Sequence, residues 1–201
     1  MVDTVLDWTT FSFLYRRNEK MRIVAGKHRS RKIEAVPGMN TRPTLDKVKE
    51  AVFSSLGTYF DGGWFLDLFS GSGNMALEAI SRGIEKAVMV DMSFDAIKTI
   101  EKNVATLKEQ DSCIVWKMEA KKALRQCASF GYQFDVIYLD PPYAKKDVDK
   151  LLFKIMESNL LKEDGVIIYE CLKEDTPIEI EGLELYKQAT YGIVRVNYYR
   201  R

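Results

Sequence analysis

An α/β fold, built on a doubly wound and mostly parallel sheet with helices on both faces, follows from three features of the sequence. From residue 64 onward, short apolar runs of strand length alternate with longer runs of helical period. Two of the apolar runs end in acid, at Asp91 and Asp140, and a third is interrupted by one, Asp67. Open α/β sheets place their ligands at these carboxyl ends. The run Val136, Ile137, Tyr138, Leu139 has no polar break, which suits a strand buried on both faces.

The 201 residues, 46% hydrophobic and 29% charged, suffice for one main domain with a real core and a small appendage. Cys113, Cys127 and Cys171 lie far apart in apolar segments, a spacing that suits neither zinc nor a disulfide framework and favours a reducing, cytoplasmic setting. No apolar run approaches the roughly 18 residues of a membrane span. Residues 1–20 carry Asp3 and Asp7 without an early basic cluster, so they do not read as a signal peptide. Met21 opens a segment resembling a natural start, and 1–20 are expected to be an upstream, disordered extension.

Charge is uneven. Between Arg16 and Lys49 stand eleven Lys or Arg against three acids, a net of +8 on a chain whose total is +1, leaving −7 elsewhere. Such a block suggests a polyanion, because phosphate contacts supply most sequence-independent nucleic-acid affinity; a solvated basic face is the alternative. The stretch Lys27, His28, Arg29, Ser30, Arg31, Lys32, between Ile23-Val24 and Ile33, predicts the tip of a short hairpin. His28, the one histidine, has no acid or cysteine at ligand spacing. It reads as a phosphate or base contact, or as an exposed residue.

Leu45, Val48, Val52 and Leu56 recur at helical spacing, with Thr44 as N-cap, Asp46 in the first turn and Gly57 as the stop. This helix covers one face of the sheet and puts Arg42 near its mouth, to meet a carboxylate or phosphate or to anchor a loop. Asp61-Gly62-Gly63 is a turn and the boundary with the main sheet.

Strand one spans 64–69. Ser70, Gly71, Ser72, Gly73 and Asn74 lead into a helix over 75–82, and glycines there let a ligand approach the backbone. The loop lacks the third glycine of a dinucleotide fingerprint and the Lys of a P-loop. Strand two, 86–91, ends in Asp91, an acid placed to accept ribose hydroxyls. Ser93 caps a helix through residue 110 with Phe94, Ile97, Ile100, Val104 and Leu107 as its apolar stripe. Strand three, 113–117, is followed by Glu119 and Ala120 at the next helix start. Glu119 can reach an adenine amino group or serve as a helix-terminus acid.

Strand four, 134–139, ends in Asp140-Pro141-Pro142-Tyr143. The prolines stiffen the loop and donate no hydrogen bond, leaving acceptors beside an aromatic ring, which can hold an amino group on a flat heterocycle. An ordinary Asp-capped turn is the bland reading. Strand five is expected over 165–171, and 183–189 with 192–199 read as a closing antiparallel pair around Thr190, Tyr191 and Gly192.

In combination these residues resemble class I S-adenosylmethionine-dependent methyltransferases of the exocyclic amino type. Asp67-Leu68-Phe69-Ser70-Gly71-Ser72-Gly73, Thr41-Arg42-Pro43-Thr44 and the basic start at 22–32 are similar to the RsmD family of 16S ribosomal RNA guanine-N2 methyltransferases, over 21–199. The chain departs at Asp91, where Glu is commoner, and at Glu119, a variable position.

The resemblance implies a Rossmann-like, seven-stranded mostly parallel sheet with a small N-terminal β-hairpin extension. It divides the chain into a basic RNA-binding hairpin and covering helix over 21–62 and a methyltransferase domain over 63–201. It places S-adenosyl-L-methionine against Asp67, Phe69, Ser70, Gly71, Ser72, Gly73, Asp91, Met92, Glu119 and Ala120, with Arg42 and Thr44 alongside. Asp67 orders the glycine loop or meets the methionine amino group. Asp140, Pro141, Pro142 and Tyr143 are the implied catalytic residues, and Arg22, Lys27, His28, Arg29, Arg31, Lys32, Lys145 and Lys146 the RNA contacts. A monomer without metal is expected, acting on ribosomal RNA, within a 30S assembly particle or naked. The same motifs leave open an amino-methyltransferase acting on DNA bases or protein glutamine, and a non-catalytic RNA-binding module; a nicotinamide dehydrogenase fits less well.

Overall fold

The computed structural model describes residues 21–37, 46–142 and 147–201. The extension 1–20, Arg42, Thr44, Tyr143, Lys145 and Lys146 therefore lie outside the described residues. Seven strands form one sheet: β1 (Trp64–Asp67), β2 (Lys86–Asp91), β3 (Cys113–Lys117), β4 (Phe134–Leu139), β5 (Leu161–Leu172), β6 (Glu184–Tyr191) and β7 (Val194–Arg200). Their order is β3-β2-β1-β4-β5-β7-β6. The first five are parallel to their neighbours, and β7 runs antiparallel between β5 and β6. The order reverses between β1 and β4, and such a reversal opens a crevice at the carboxyl ends of those strands.

Helices α1 (Asp46–Ser55), α2 (Asn74–Ser81) and α3 (Phe94–Leu107) cover one face, where Val52, Phe53, Leu77, Ile80 and Ile100 pack on Phe65, Met89 and Tyr138. Helices α4 (Ala120–Ser129) and α5 (Val148–Glu157) cover the other, with Leu124, Leu152 and Ile155 against Leu66, Val88 and Ile137. Ile23 and Ile33 of the basic segment join the first of these cores.

α3 shows how local chemistry sets an element. Ser93 Oγ accepts the Ala96 amide at 3.3 Å, and Asp95 occupies the first turn, where the helix dipole favours an acid. Ile97, Ile100, Val104 and Leu107 are buried as the spacing predicts. Phe94 is not: as the first helical residue it lies outside the packed stripe and is 64% exposed. The helix ends earlier than residue 110 because Lys108 turns left-handed at φ 60°. A short 3-10 turn, Gln110–Ser112, then feeds β3.

The closing hairpin also turns later than its sequence suggests. Thr190 and Tyr191 pair with Arg195 and Val194, so the connection is Gly192 and Ile193 alone, with Gly192 at φ 63°. A two-residue hairpin needs positive φ, and glycine meets it without strain.

The basic segment is a turn with one bridge pair, Arg22 with Lys32, rather than a regular hairpin. Its backbone is docked onto α2: the Glu78 carboxylate accepts the Val24 and Ala25 amides at 2.7 and 2.9 Å, and Ser81 Oγ accepts the His28 amide at 2.9 Å. Gly26 has φ 81°, and a Cβ there would lie 1.8 Å from the Ser81 carbonyl oxygen, so only glycine allows this approach.

Candidate active site

The loop after β1 is stitched to the end of β2. The Ser70 amide donates to the Val90 carbonyl at 2.9 Å, and Ser70 Oγ accepts the Val90 amide while donating to the Asp67 carbonyl, both at 3.0 Å. The Ser70 side chain is thus spent on the loop's own backbone. Asp91 takes the Gly71 amide on one carboxylate oxygen at 2.9 Å and the Ser93 amide on the other at 2.8 Å. Each oxygen keeps a further lone pair for a ligand hydroxyl. A Cβ at Gly71, φ 51°, would meet nothing within 4 Å, so this turn presents bare backbone to open space. Gly73, φ 79°, is closed in instead, with Met89 Sδ 3.1 Å from the position of its missing Cβ.

Asp67, 1% exposed, accepts the Phe69 amide at 3.3 Å. Burial pushes its carboxyl up to about 8; the nearby Asp140 and Asp91 add to the rise and the Phe69 amide opposes it. Asp140, half-buried, is likewise lifted by burial to about 6. On the neighbouring strand Glu170 rises to about 8 through burial and then the proximity of Asp140, opposed by the hydroxyl of Tyr138, which donates to it. Among the described residues no Lys or Arg pairs with Asp67 or Asp140. The carboxyl ends of β1, β2 and β4 therefore converge on an electron-rich crevice suited to a ligand that carries positive charge.

Beside it lies a cavity of about 300 Å³ lined by Phe69, Met92, Glu119, Ala120, Lys121, Pro141, Asp147, Val148 and Leu151. The first four and Pro141 are sequence-predicted positions. Lys121, Asp147, Val148 and Leu151 were missed, because nothing in a helical stripe tells which end of it faces a cavity. Lys121 and Asp147 meet at 3.7 Å across the rim. Pro142 is exposed. A larger cavity of about 460 Å³, lined by Asp135, Lys162 and Arg201 among others, is remote from this site: Asp135 and Lys162 lie near the starts of β4 and β5.

Among the described basic residues, those at the tip of the turn lie away from the glycine loop. The Lys27 amide donates to the Ser81 carbonyl at the last residue of α2, whereas the glycine loop adjoins its first residue. An eight-residue helix rises about 12 Å, so the tip of the basic turn lies that far down the molecule from the loop. His28, expected at a phosphate, a base or the surface, instead places Nε2 2.5 Å from Glu109, and Lys27 meets the same carboxylate at 2.8 Å. Burial opposes it, but the Lys27 ammonium and the hydrogen bond with His28 hold the Glu109 carboxyl below its usual range. A separation of 81 residues hid the pair from sequence reading. Arg31 donates to the Thr106 carbonyl at 3.0 Å and Arg22 pairs with Asp46 at 2.9 Å, while Arg29 and Lys32 make no ion pair among the described residues. Together they form a ridge running down from the crevice.

Among the described residues no group of His, Cys, Asp or Glu has the arrangement of a metal site, and no helix is long and apolar enough to cross a membrane.

Residues 21–200 match the family model described as Conserved hypothetical protein 95. The Bacillus subtilis (strain 168) protein YlbH, named as a candidate rRNA methyltransferase, is 41% identical over 182 residues, covering 90% of this chain and 99% of that one. The "Ribosomal RNA small subunit methyltransferase D" of Haemophilus influenzae is 32% identical over 90% of this chain and 94% of its own. The solved structure of Escherichia coli yhhF, described as a candidate methyltransferase, is 30% identical with a TM-score of 0.79, covering 90% of this chain and 98% of its own. Matched over nearly its whole described length, with the glycine loop and the Asp140 strand end in their expected places, the chain belongs to the RsmD family of class I methyltransferases.

Proposed function

We propose that this protein transfers a methyl group from S-adenosyl-L-methionine to the exocyclic N2 amino group of a guanine in small-subunit (16S) ribosomal RNA. One observation carries the reading: Asp140, ending β4, stands beside Asp67 and the glycine loop of β1, so an acceptor for an amino group and a cradle for a cofactor share one crevice. The crevice fits the cofactor's chemistry. Its carboxyl groups, which no Lys or Arg among the described residues pairs, suit a ligand with sulfonium and ammonium charges, Gly71 leaves backbone open to close approach, and the cavity along Met92, Glu119 and Ala120 suits adenine.

When bound, S-adenosylmethionine supplies a methyl carbon already activated by its sulfonium, so no metal or covalent nucleophile is required. The chain's task is alignment, which is the main catalytic contribution for such a displacement. Asp91 accepts ribose hydroxyls, and the 70–73 backbone holds the amino-acid end. The Asp140 carboxylate and Pro141 carbonyl would accept the two amino hydrogens of guanine, orient its nitrogen and stabilise the positive charge that grows there as the cofactor leaves as a neutral thioether, and Asp140 would take up the proton that the nitrogen then loses. By the family resemblance, Tyr143, which lies outside the described residues, would stack on the base, a contact worth roughly 1 to 3 kcal/mol. The base must be unstacked to enter, so a loop or a flipped nucleotide is implied.

The ridge from Arg22 to Lys27 tracks the RNA backbone away from the crevice, so residues 21–62 carry RNA and residues 63–201 the transfer. The same reading makes the protein a cytoplasmic monomer, in keeping with free Cys113, Cys127 and Cys171. Tritiated methyl transfer to small-subunit RNA, naked and within 30S assembly particles, with mapping of the modified base, tests the proposal. Label at guanine N2 supports it, and label elsewhere or none overturns it.

A further inference from the structure

Both arms of the basic turn are tied to the glycine loop, each by one side chain from a different helix. On the outgoing arm, buried Asn103 of α3 uses its whole amide: Oδ1 accepts the Glu34 amide at 2.7 Å, while Nδ2 donates to the Glu34 carbonyl and to the Ser72 carbonyl, both at 2.9 Å. On the incoming arm, Lys49 of α1 donates from Nζ to the Arg22 carbonyl at 2.6 Å and to Asn74 Oδ1 at 2.8 Å. Ser72 and Asn74 flank Gly73. The arms are therefore held by their backbones, and the side chains of Arg22, which meets Asp46, and Lys32 stay exposed.

We propose that Asn103 is a positioning residue for methyl transfer, registering the basic turn that holds RNA against the loop that holds the cofactor, so that each ligand favours binding of the other. The inference rests on the proposed function, because it takes the loop as the cofactor's cradle and the turn as an RNA contact.

The geometry supplies the reason. Asn103 is 1% exposed and its three hydrogen bonds join two segments with no shared strand or helix. A shift of the turn would pull Glu34 from Oδ1 or draw the amide from Ser72, leaving a buried polar group unpaired, which is the costly outcome for such a group. RNA that holds the turn thereby holds Ser72. The cofactor then meets a loop whose ordering entropy has already been lost, and coupling of this kind is reciprocal by necessity. Lys49 has a second partner in Glu78 at 3.2 Å, so its replacement would also remove one of the two cations, with Arg82, that balance that buried carboxylate; Asn103 is the cleaner probe.

The test measures S-adenosylhomocysteine binding by calorimetry with and without saturating, extracted small-subunit ribosomal RNA, for the native chain and for Asn103→Ala. In the native chain RNA tightens cofactor-product binding about fivefold or more, the usual scale of such coupling. Asn103→Ala, checked for folding by circular dichroism, binds each ligand alone but shows coupling within about twofold of none. A merely structural asparagine would lower both affinities and keep their ratio.

Amide hydrogen exchange on the native chain provides a second readout that no misfolded variant can obscure: RNA slows exchange at 70–74, and S-adenosylhomocysteine slows it at Glu34. Native coupling absent, full coupling retained in the folded variant, or protection that fails to cross between the two segments would overturn the inference while leaving the proposed function standing. Failure of the native chain to bind S-adenosylhomocysteine at all would overturn both.

Discussion

The Gly71 amide donates to the Asp91 carboxylate at 2.9 Å, binding the loop after β1 to the end of β2. That single acid shapes the glycine loop from one oxygen and, through the Ser93 amide on its other, sets the entry into α3.

Asp91→Ala removes both functions at once. Cofactor affinity is expected to fall at least about tenfold, the scale of lost hydrogen bonds to a charged group. Titration of S-adenosylhomocysteine into native and variant protein checks this, and equal affinities would detach Asp91 from the site.

Asp140→Asn keeps the shape of the β4 end but replaces one acceptor oxygen with a donor facing the amino group. Transfer is expected to drop at least about a hundredfold, the lower range for a positioned acid–base group, with cofactor binding within about twofold. Because burial lifts the Asp140 carboxyl to about 6, transfer by the native chain should rise with pH through about 6 and then level. A rate profile flat from about pH 4 to about pH 8, roughly two units either side of that value, would remove the ionised carboxylate from the chemistry.

Asp67→Asn is expected to change how stability depends on pH. The folded carboxyl lies at about 8, above its ordinary 3.8, so the folded state holds this proton more tightly than the unfolded chain. Its contribution is full below 3.8 and is lost as pH rises through about 8. The variant should therefore gain stability relative to the native chain as pH rises across that window. Urea unfolding at the two ends reads the difference, and parallel curves would mean that Asp67 is ionised at no cost in the folded protein.

Replacing Arg29, Arg31 and Lys32 by Gln is expected to weaken RNA binding across sequences while leaving S-adenosylhomocysteine binding intact. Three lost phosphate contacts would lower the magnitude of the logarithmic salt slope by roughly two on single-stranded RNA. Filter binding over a salt series measures it, and an unaltered slope would take the ridge out of the interface.

Much of the site was legible because its signals are local. Asp91 and Asp140 each close an apolar run, and Asp67 interrupts one. Gly71 and Gly73 adopt positive φ in a loop their own residue type announces, and Ser93 caps α3 as a serine before a helical stripe should. His28 was misread for the opposite reason: its partner Glu109 arrives from the far end of another helix, a contact that no spacing rule contains.

By itself, then, the sequence determined which segments are strands and helices, where the glycine loop and the acidic strand ends fall, and that Asp140-Pro141-Pro142 makes a stiff turn of acceptors. Periodicity and turn chemistry act over a few residues, so a single chain segment contains them. The tertiary structure alone decided that β1 lies beside β4, which brings Asp140 close enough to add to the burial that raises the proton affinity of Asp67. It also decided that Asn103 joins Glu34 to Ser72, and that the tip of the basic turn sits about 12 Å down α2 from the loop. Those relations depend on strand order and helix direction, which arise when distant segments bury their apolar faces together.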